Sequence, residues 1–394
     1  MVPVVFRWIV LTGALLPLAY YLVAIASAWR FGARDPRLTT QHSQLAAFPP
    51  VSILKPVRGL DRHSFENFAS FCRQDYPAWE ILFAVEDAGD PVIPVIERLQ
   101  AAFPERDIRL LVGAPVVGTS AKVNKLCRLA REARHDLLVI NDSDIRVGPD
   151  YLRAVAAPFA DPRVGLVTCL YTGVREGGIG AALESIAIET EFAASVLVAR
   201  QLEGMTFALG ATMAVPRDRL VEIGGFEALA DYCADDFELG HRVAARGHRV
   251  ALAGVVVQSE CVETVGAFVR HALRWAVTRR HCRPGGHWGL VVTQGLPWAV
   301  AAACVAPSAA LAIAYPAAYL ALRLALAWTV GVRGLGDRGL RAWWWLVPVA
   351  DALGAGIWAL SLFRNRIDWR GRTFYLRRGR LVPVSSPTGG CSEC

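Results

Sequence analysis

Residues 137–147 read LLVINDSDIRV. Leu137 to Ile140 is a short, wholly apolar run, the pattern of a strand buried on both faces. It ends in Asn141-Asp142-Ser143-Asp144. On extended backbone, carboxylates two residues apart point to the same side. Hard divalent cations take oxygen ligands, and Mg²⁺ is commonly held by one or two carboxylates together with substrate phosphates. The same residue types also make turns and helix caps. DSD is therefore read as a metal site, with a turn as the alternative.

Similar apolar runs lie on either side: Val51–Leu54, Ile81–Val85, Ile108–Val112 and Val164–Thr168. Helical patterns separate them near Arg62–Arg73, Val92–Ala102 and Lys122–Arg134. Strands alternating with helices predict an α/β domain with a mostly parallel, doubly wound sheet over residues 50–286. Such sheets bind ligands at the carboxyl ends of their strands. Those ends carry Lys55-Pro56, Glu86-Asp87 and the DSD segment. No GxGxxG follows the first strand and no GxxxxGK[ST] occurs, so dinucleotide and P-loop sites are disfavoured. Lys55, Glu86, Asp87 and Asp142 are candidate donor-binding residues.

Two more motifs carry chemistry. Asp235-Asp236 opens a helical pattern that ends at Gly247. Acids there either complement the helix dipole or serve as a general base. In FVRHALRW, His271 and Arg274 share a helix face, and arginine suits bidentate phosphate contact. The same segment also reads as an amphipathic helix on a membrane surface. Residues 177–198, with Glu184, Glu189 and Glu191, read as an interfacial or a core-packing helix.

Composition sets the context. The 394 residues are 54% hydrophobic and 20% charged, with a net charge of +7. That excludes a disordered or fibrous chain and argues against a purely soluble one. Trp8 to Trp29 carries no charge and is long enough to cross a bilayer. Arg30, Arg34 and Arg37 follow it, which predicts a cytoplasmic catalytic domain and an N-terminus outside. From Leu290 to Val332 there is room for two spans breaking near Pro307. A third stretch, Ala342–Phe363, is interrupted by Asp351, read as a functional intramembrane carboxylate or as a water-facing one. Three full spans would place the arginines of residues 364–380 outside, against the positive-inside rule. One stretch is then re-entrant or interfacial, with Trp343, Trp344 and Trp345 at the interface. The basic residues show no patch interleaved with aromatics, so no nucleic-acid partner is expected. The nine cysteines form no disulfide framework, and Cys391/Cys394 is a weak metal signal.

Taken in order, VSILKPVRG, VEDAGDP, KVNKL, INDSDIRV, ADDFELG and HALRW resemble the processive-type family 2 glycosyltransferases, and more closely family 21, the ceramide glucosyltransferases. IDWRGRTFYLRRG is similar to the end of those enzymes. A bacterial sister group, the hopanoid-biosynthesis glycosyltransferases, looks similar in the same places. The resemblance implies a GT-A fold, a UDP-sugar donor and an inverting displacement. It implies that Asp87 meets the nucleotide base or ribose, and that Asp142 and Asp144 hold Mg²⁺ or Mn²⁺. It makes Asp236 the base, with Asp235 beside it, and brings Lys122 and Lys125 near the nucleotide. Arg274 and Trp275 match the end of (Q/R)xxRW. His271 departs from the first position of that motif, and an imidazole does not fully replace an arginine.

The expected organisation is an anchor and linker over 1–49, the GT-A domain over 50–286, membrane helices over 287–363 and an arginine-rich tail over 364–394. The expected acceptor is a membrane lipid, ceramide first and a hopanoid polyol with UDP-N-acetylglucosamine second. A polysaccharide synthase would need more spans. A non-catalytic binding module would have lost an acidic motif, and none is lost. The expected location is an integral membrane protein, of a bacterial inner membrane.

Overall fold

The computed structural model describes residues 3–32, 48–369 and 371–384. Arg34, Arg37, Arg370 and Cys391/Cys394 lie outside the described residues.

The central sheet contains β1 (Val51–Pro56), β2 (Trp79–Val85), β3 (Ile108–Val112), β4 (Leu137–Ile140), β5 (Ile145–Arg146), β6 (Val164–Val174), β7 (Met213–Pro216) and β8 (Arg249–Glu260). Their order is β3-β2-β1-β4-β7-β6-β8-β5. The first four run parallel, as the alternating sequence pattern predicts. β7 enters antiparallel between β4 and β6, and β5 pairs antiparallel with β8. This is a mixed, mostly parallel α/β sheet.

The first four strands are mostly apolar because both faces are covered, with Ser52, Lys55 and Glu80 as buried polar exceptions. Leu54, Leu82, Leu138 and Ile140 face a core with Val123, Leu126 and Leu129 of helix Ala121–Glu132. The alternate residues Ile53, Ile81, Phe83 and Val139 face Phe68 and Phe71 of helix Ser64–Cys72 and Ile96 and Leu99 of helix Ile93–Ala102. Each such fully buried side chain contributes roughly 1.5–3 kcal/mol. Ser120 caps helix Ala121–Glu132 by accepting from the Val123 N–H at 3.4 Å, which sets the start of the turn carrying Lys122.

Three helices are long and apolar enough to cross a membrane: Val4–Phe31, Ala309–Gly334 and Arg338–Ser361. A further pair, Pro284–Thr293 and Gly295–Val305, meets at 46°. The expected break near Pro307 separates Val305 from Ala309. The N-terminal helix binds the bent pair and the next helix: Gly295 N–H donates to the Tyr21 hydroxyl at 3.1 Å, and Tyr315 donates to the Leu11 carbonyl at 3.0 Å. Arg338–Ser361 behaves differently. Just before it, Asp337 pairs with Arg175; just after it, the Leu362 carbonyl accepts from Arg280 at 2.7 Å. Both ends therefore touch elements that line or flank the catalytic domain.

Residues 366–383, in the stretch read as an arginine-rich tail, form a second sheet. β9 (Arg366–Trp369), β10 (Arg372–Arg377) and β11 (Arg380–Pro383) pair antiparallel. Ile367, Phe374, Leu376 and Leu381 pack on Cys233 and Val277 of the catalytic domain. The Cys233 N–H donates to the Gly379 carbonyl at 3.0 Å, and the Leu381 N–H to the Asp231 carbonyl at 2.7 Å.

Asp351 has a structural partner. Arg323 donates to both its oxygens, at 2.8 and 2.9 Å, and Tyr319 donates to it at 2.7 Å. The Arg323 nitrogen that donates to Asp351 at 2.8 Å also reaches the Thr190 hydroxyl at 2.8 Å. Removing one member of a buried ion pair costs roughly 3–5 kcal/mol, whereas replacing both by apolar residues is often neutral. We expect Arg323→Leu to lower the thermal unfolding midpoint of the detergent-solubilised protein, and Arg323→Leu with Asp351→Leu to recover most of the loss. An unchanged midpoint in the single variant would show that the pair does not hold these helices together.

Candidate active site

The loop after β4 is anchored by Asn141, whose buried amide donates to the Ala211 carbonyl at 2.8 Å and the Tyr151 hydroxyl at 2.9 Å. That fixes the strand end from which Asp142 and Asp144 project. Asp144 accepts from the Ser259 hydroxyl at 2.8 Å. Burial, with Asp142 and Asp61 nearby, raises its carboxyl to about 7. Beneath them, Lys55 donates to the Asp142 carbonyl at 3.1 Å and lies 3.6 Å over the Phe71 ring. Burial pushes Lys55 down to about 7, against the pull of Asp144, Asp142 and Asp61.

The second acid pair comes to the same place from far along the chain. Lys122 Nζ lies 2.9 Å from Asp142 and 3.0 Å from Asp235. Burial opposes its charge, but Asp142, Asp235 and Asp236 outweigh that and hold its pKa above the ordinary value. Asp235 is buried against this ammonium. Its carboxyl is held above the usual range, chiefly by burial, with Lys122 pulling the other way.

Asp236 is placed otherwise. One oxygen accepts from the Phe237 N–H at 2.8 Å, and the other faces Gly210. A Cβ at Gly210 would lie 3.2 Å from Asp236 Oδ2 and 3.3 Å from Asp142 Oδ2. The two carboxylates thus both approach Gly210, where a side chain would fit tightly. Burial and the Asp235 charge raise Asp236 to about 6.

These groups line one cavity of about 990 Å³, at the upper end of small-ligand sites. Its walls include Lys122, Lys125, Asp142, Asp144, Asp235, Asp236, His271, Arg274 and Trp275. Lys125 also donates to the Val57 carbonyl at 2.8 Å. His271 and Trp275 lie in tilted contact with ring centroids 4.2 Å apart, and His271 Nδ1 bonds the buried carboxylate of Glu184. An imidazole with a carboxylate partner thus stands at the position where the motif has a glutamine or arginine. Asp368, Trp369, Arg372 and Phe374 of the C-terminal sheet complete one wall, and Ala350, Gly354, Ile357 and Trp358 of the last apolar helix complete another.

Lys55, Glu86 and Asp87 do not line the cavity. Lys55 lies beneath the DSD loop. Asp87 accepts from the Gly89 N–H at 2.8 Å within its own turn, and Glu86 pairs with Arg372 at 2.9 Å. Reasoning from sequence did not find Gly210, the pairing of Glu184 with His271 or the C-terminal sheet. The Gly379 turn in RRGR, between short alternating runs, is the one local signal for that sheet.

Among the described residues, no three His, Cys, Asp or Glu side chains form a metal-holding group. The donor set still fits a hard cation bound jointly with a ligand. Asp142 and Asp144 offer carboxylate oxygens to one cavity, the oxygen donor set that Mg²⁺ or Mn²⁺ takes together with a ligand's phosphates.

Comparison with known proteins agrees with the resemblance. Ceramide glucosyltransferase 3 of Caenorhabditis elegans is 28% identical over 246 residues, 62% of this chain and 53% of that protein. The chain thus spans about half the length of that relative. Beta-monoglucosyldiacylglycerol synthase of Synechocystis is 24% identical over 273 residues, 67% of this chain and 54% of that protein. A solved mannosyltransferase of Pyrobaculum calidifontis, in complex with GDP-Man and Mn²⁺, superposes with TM-score 0.46 and 20% identity over 87% of this chain and 99% of that one. The profile of glycosyl transferase family 21 matches residues 9–382, and the chain belongs to that family.

Proposed function

We propose that this protein transfers a sugar from a UDP-sugar to a hydroxyl of a membrane lipid, with inversion, and that the lipid is of the ceramide type. The observation that carries this reading is the single cavity. Its walls run from the two acid motifs to apolar helices long enough to enter a bilayer.

Asp236 is the base. Asp235 is neutralised by Lys122, whereas Asp236 faces open space, with a carboxyl near 6 that is mostly ionised at neutral pH. It takes the proton of the acceptor hydroxyl. That oxygen forms a bond to the anomeric carbon as the bond to the diphosphate oxygen breaks on the opposite face. UDP departs with the electron pair. Lys122, His271 and Arg274 meet the growing negative charge from the protein side. A Mg²⁺ or Mn²⁺ ion held by Asp142 and Asp144 would neutralise diphosphate charge.

The catalytic domain lies on the cytoplasmic side, following Arg30. Residues 4–31, 284–305 and 309–334 cross the bilayer. Residues 338–361 do not, since both flanks meet the catalytic side. This removes the conflict over the arginine-rich C-terminal strands, which stay inside. Length and composition would let 338–361 cross, but two anchored flanks outweigh that allowance.

The reaction is tested with detergent-purified protein, Mg²⁺ or Mn²⁺, labelled UDP-glucose or UDP-N-acetylglucosamine, and ceramide, reading label in the lipid phase by mass spectrometry. We expect Asp236→Asn to lower transfer by about a hundredfold or more with an unchanged melting midpoint, and excess chelator to abolish it. Near-normal transfer by Asp236→Asn moves the base elsewhere. For topology, an impermeant maleimide should label Ser308→Cys in intact cells but label Arg338→Cys and Arg366→Cys only after permeabilisation. Opposite accessibility of the last two would make 338–361 a crossing helix.

A further inference from the structure

The helical stretch after β6 is interrupted at Ile188–Phe192 by a single π turn, a distortion frequent at functional sites. Three glutamates lie on this stretch, and two are accounted for. Glu184 accepts from His271 and from the Val262 N–H at 2.6 Å. Glu189 binds Arg175 at 2.8 Å and the Ser185 hydroxyl at 2.7 Å. Glu191 differs. It lines the cavity and is exposed. Among the described residues it has no hydrogen-bond partner. On the last apolar helix, a Cβ at Gly354 would lie 3.5 Å from Glu191 Oε2.

A second group is in the same condition. Arg279 also lines the cavity, and its Nε is buried without a partner among the described residues. The neighbouring arginines are committed: Arg280 to the Leu362 carbonyl and Arg283 to Glu203. Arg279 acts electrostatically on Glu191 without a hydrogen bond between them. The buried Nε of Arg279 is costly to leave unmatched unless something else satisfies it, and the exposed Glu191 carboxylate opens on the same lumen. Phe192, next to Glu191, stacks on Tyr171 at 5.5 Å. Tyr171 in turn lies in the field of Asp236 and Asp144. The unmatched pair therefore belongs to the same chamber as the base, on its membrane-helix side.

We propose that Glu191 and Arg279 form the headgroup subsite of the lipid acceptor, Glu191 accepting from an N–H or a second O–H beside the attacking hydroxyl and Arg279 donating to a neighbouring carbonyl or hydroxyl oxygen. This rests on the lipid-transfer reading and narrows it. The acceptor carries a donor–acceptor pair next to its nucleophile, as an amide-bearing sphingoid lipid or a polyol does and a diacylglycerol with its lone hydroxyl does not. A site built to hydrogen-bond such groups rejects an analogue that lacks them, because its own polar atoms are then left unpaired.

The test uses the full chain in detergent with Mg²⁺ or Mn²⁺ and either donor. The probes are a short-chain ceramide, a hopanoid polyol and dioctanoylglycerol. Binding of each in the presence of UDP is measured alongside transfer, so that recognition is read even where turnover is absent. For the preferred probe we expect Glu191→Ala and Arg279→Ala each to weaken binding and raise KM by about ten- to a hundredfold, with kcat changed less. We expect the preference over dioctanoylglycerol to fall by the same factor. Glu191→Gln, which keeps an acceptor oxygen, should recover part of it. Preference for ceramide or for the polyol identifies which lipid supplies the shared chemistry. Tighter binding of dioctanoylglycerol than of either other probe by the unsubstituted protein overturns the proposal, as does an equal loss for all three probes in both variants. Binding intact without transfer on any probe tells against the transfer reading and leaves the subsite standing.

Discussion

Lys122 carries its charge where a lone ammonium would be costly to bury. What keeps it there is the pair of carboxylates it joins, Asp142 from the end of β4 and Asp235 from the start of helix Asp235–Ala245. The contact is mutual. Without the lysine, Asp142, Asp235 and Asp236 would stand together in a buried place with their charges unbalanced. The antiparallel strand β7 brings the elements into reach, because its pairing with β4 brings the residue 209–212 turn, and with it Gly210, to the DSD loop. The cluster thus ties the metal-ligand candidates to the candidate base. It also divides the acid pair into a neutralised partner and an available one.

The C-terminal sheet has a comparable effect at larger scale. Chain that has left the catalytic domain through apolar helices returns to it, pairs with the 231–233 loop and supplies cavity wall from Trp369, Arg372 and Phe374. The segment just before the acid pair is therefore braced by residues at the far end of the described chain. Membrane helices and chemistry are mechanically connected, since the last apolar helix lines the same chamber. The Arg323–Asp351 pair, with its contact to Thr190, holds that helix beside the π turn.

Much of this was readable in the chain. The apolar runs at Val51, Ile81, Ile108 and Leu137 marked strands to within a few residues, because strands covered on both faces are mostly apolar; the buried Ser52 and Glu80 interrupt them only by bonding each other. INDSD, ADDF and HALRW stood out because their residue types have few reasons to adjoin such runs, and all three motifs line one cavity. Other features depended on distance along the chain. Nothing local marks Gly210 as the residue that two carboxylates approach, or Glu184 as the partner of His271. Asp351 showed a charge in an apolar segment, but not Arg323, its partner in another helix. Glu86 and Asp87 sit at the end of β2, where Glu86 pairs with Arg372 and Asp87 accepts within its own turn.

The central claim is that Lys122 assembles donor site and base into one unit, and a substitution at that residue tests it most directly. UDP affinity, lipid transfer and thermal stability would be measured for Lys122→Met and Lys122→Arg. Our account predicts that Lys122→Met loses UDP binding and transfer together, and that Lys122→Arg, which keeps the charge, retains the fold and part of both. Lys122→Met with UDP affinity and transfer close to those of the unsubstituted protein would contradict it.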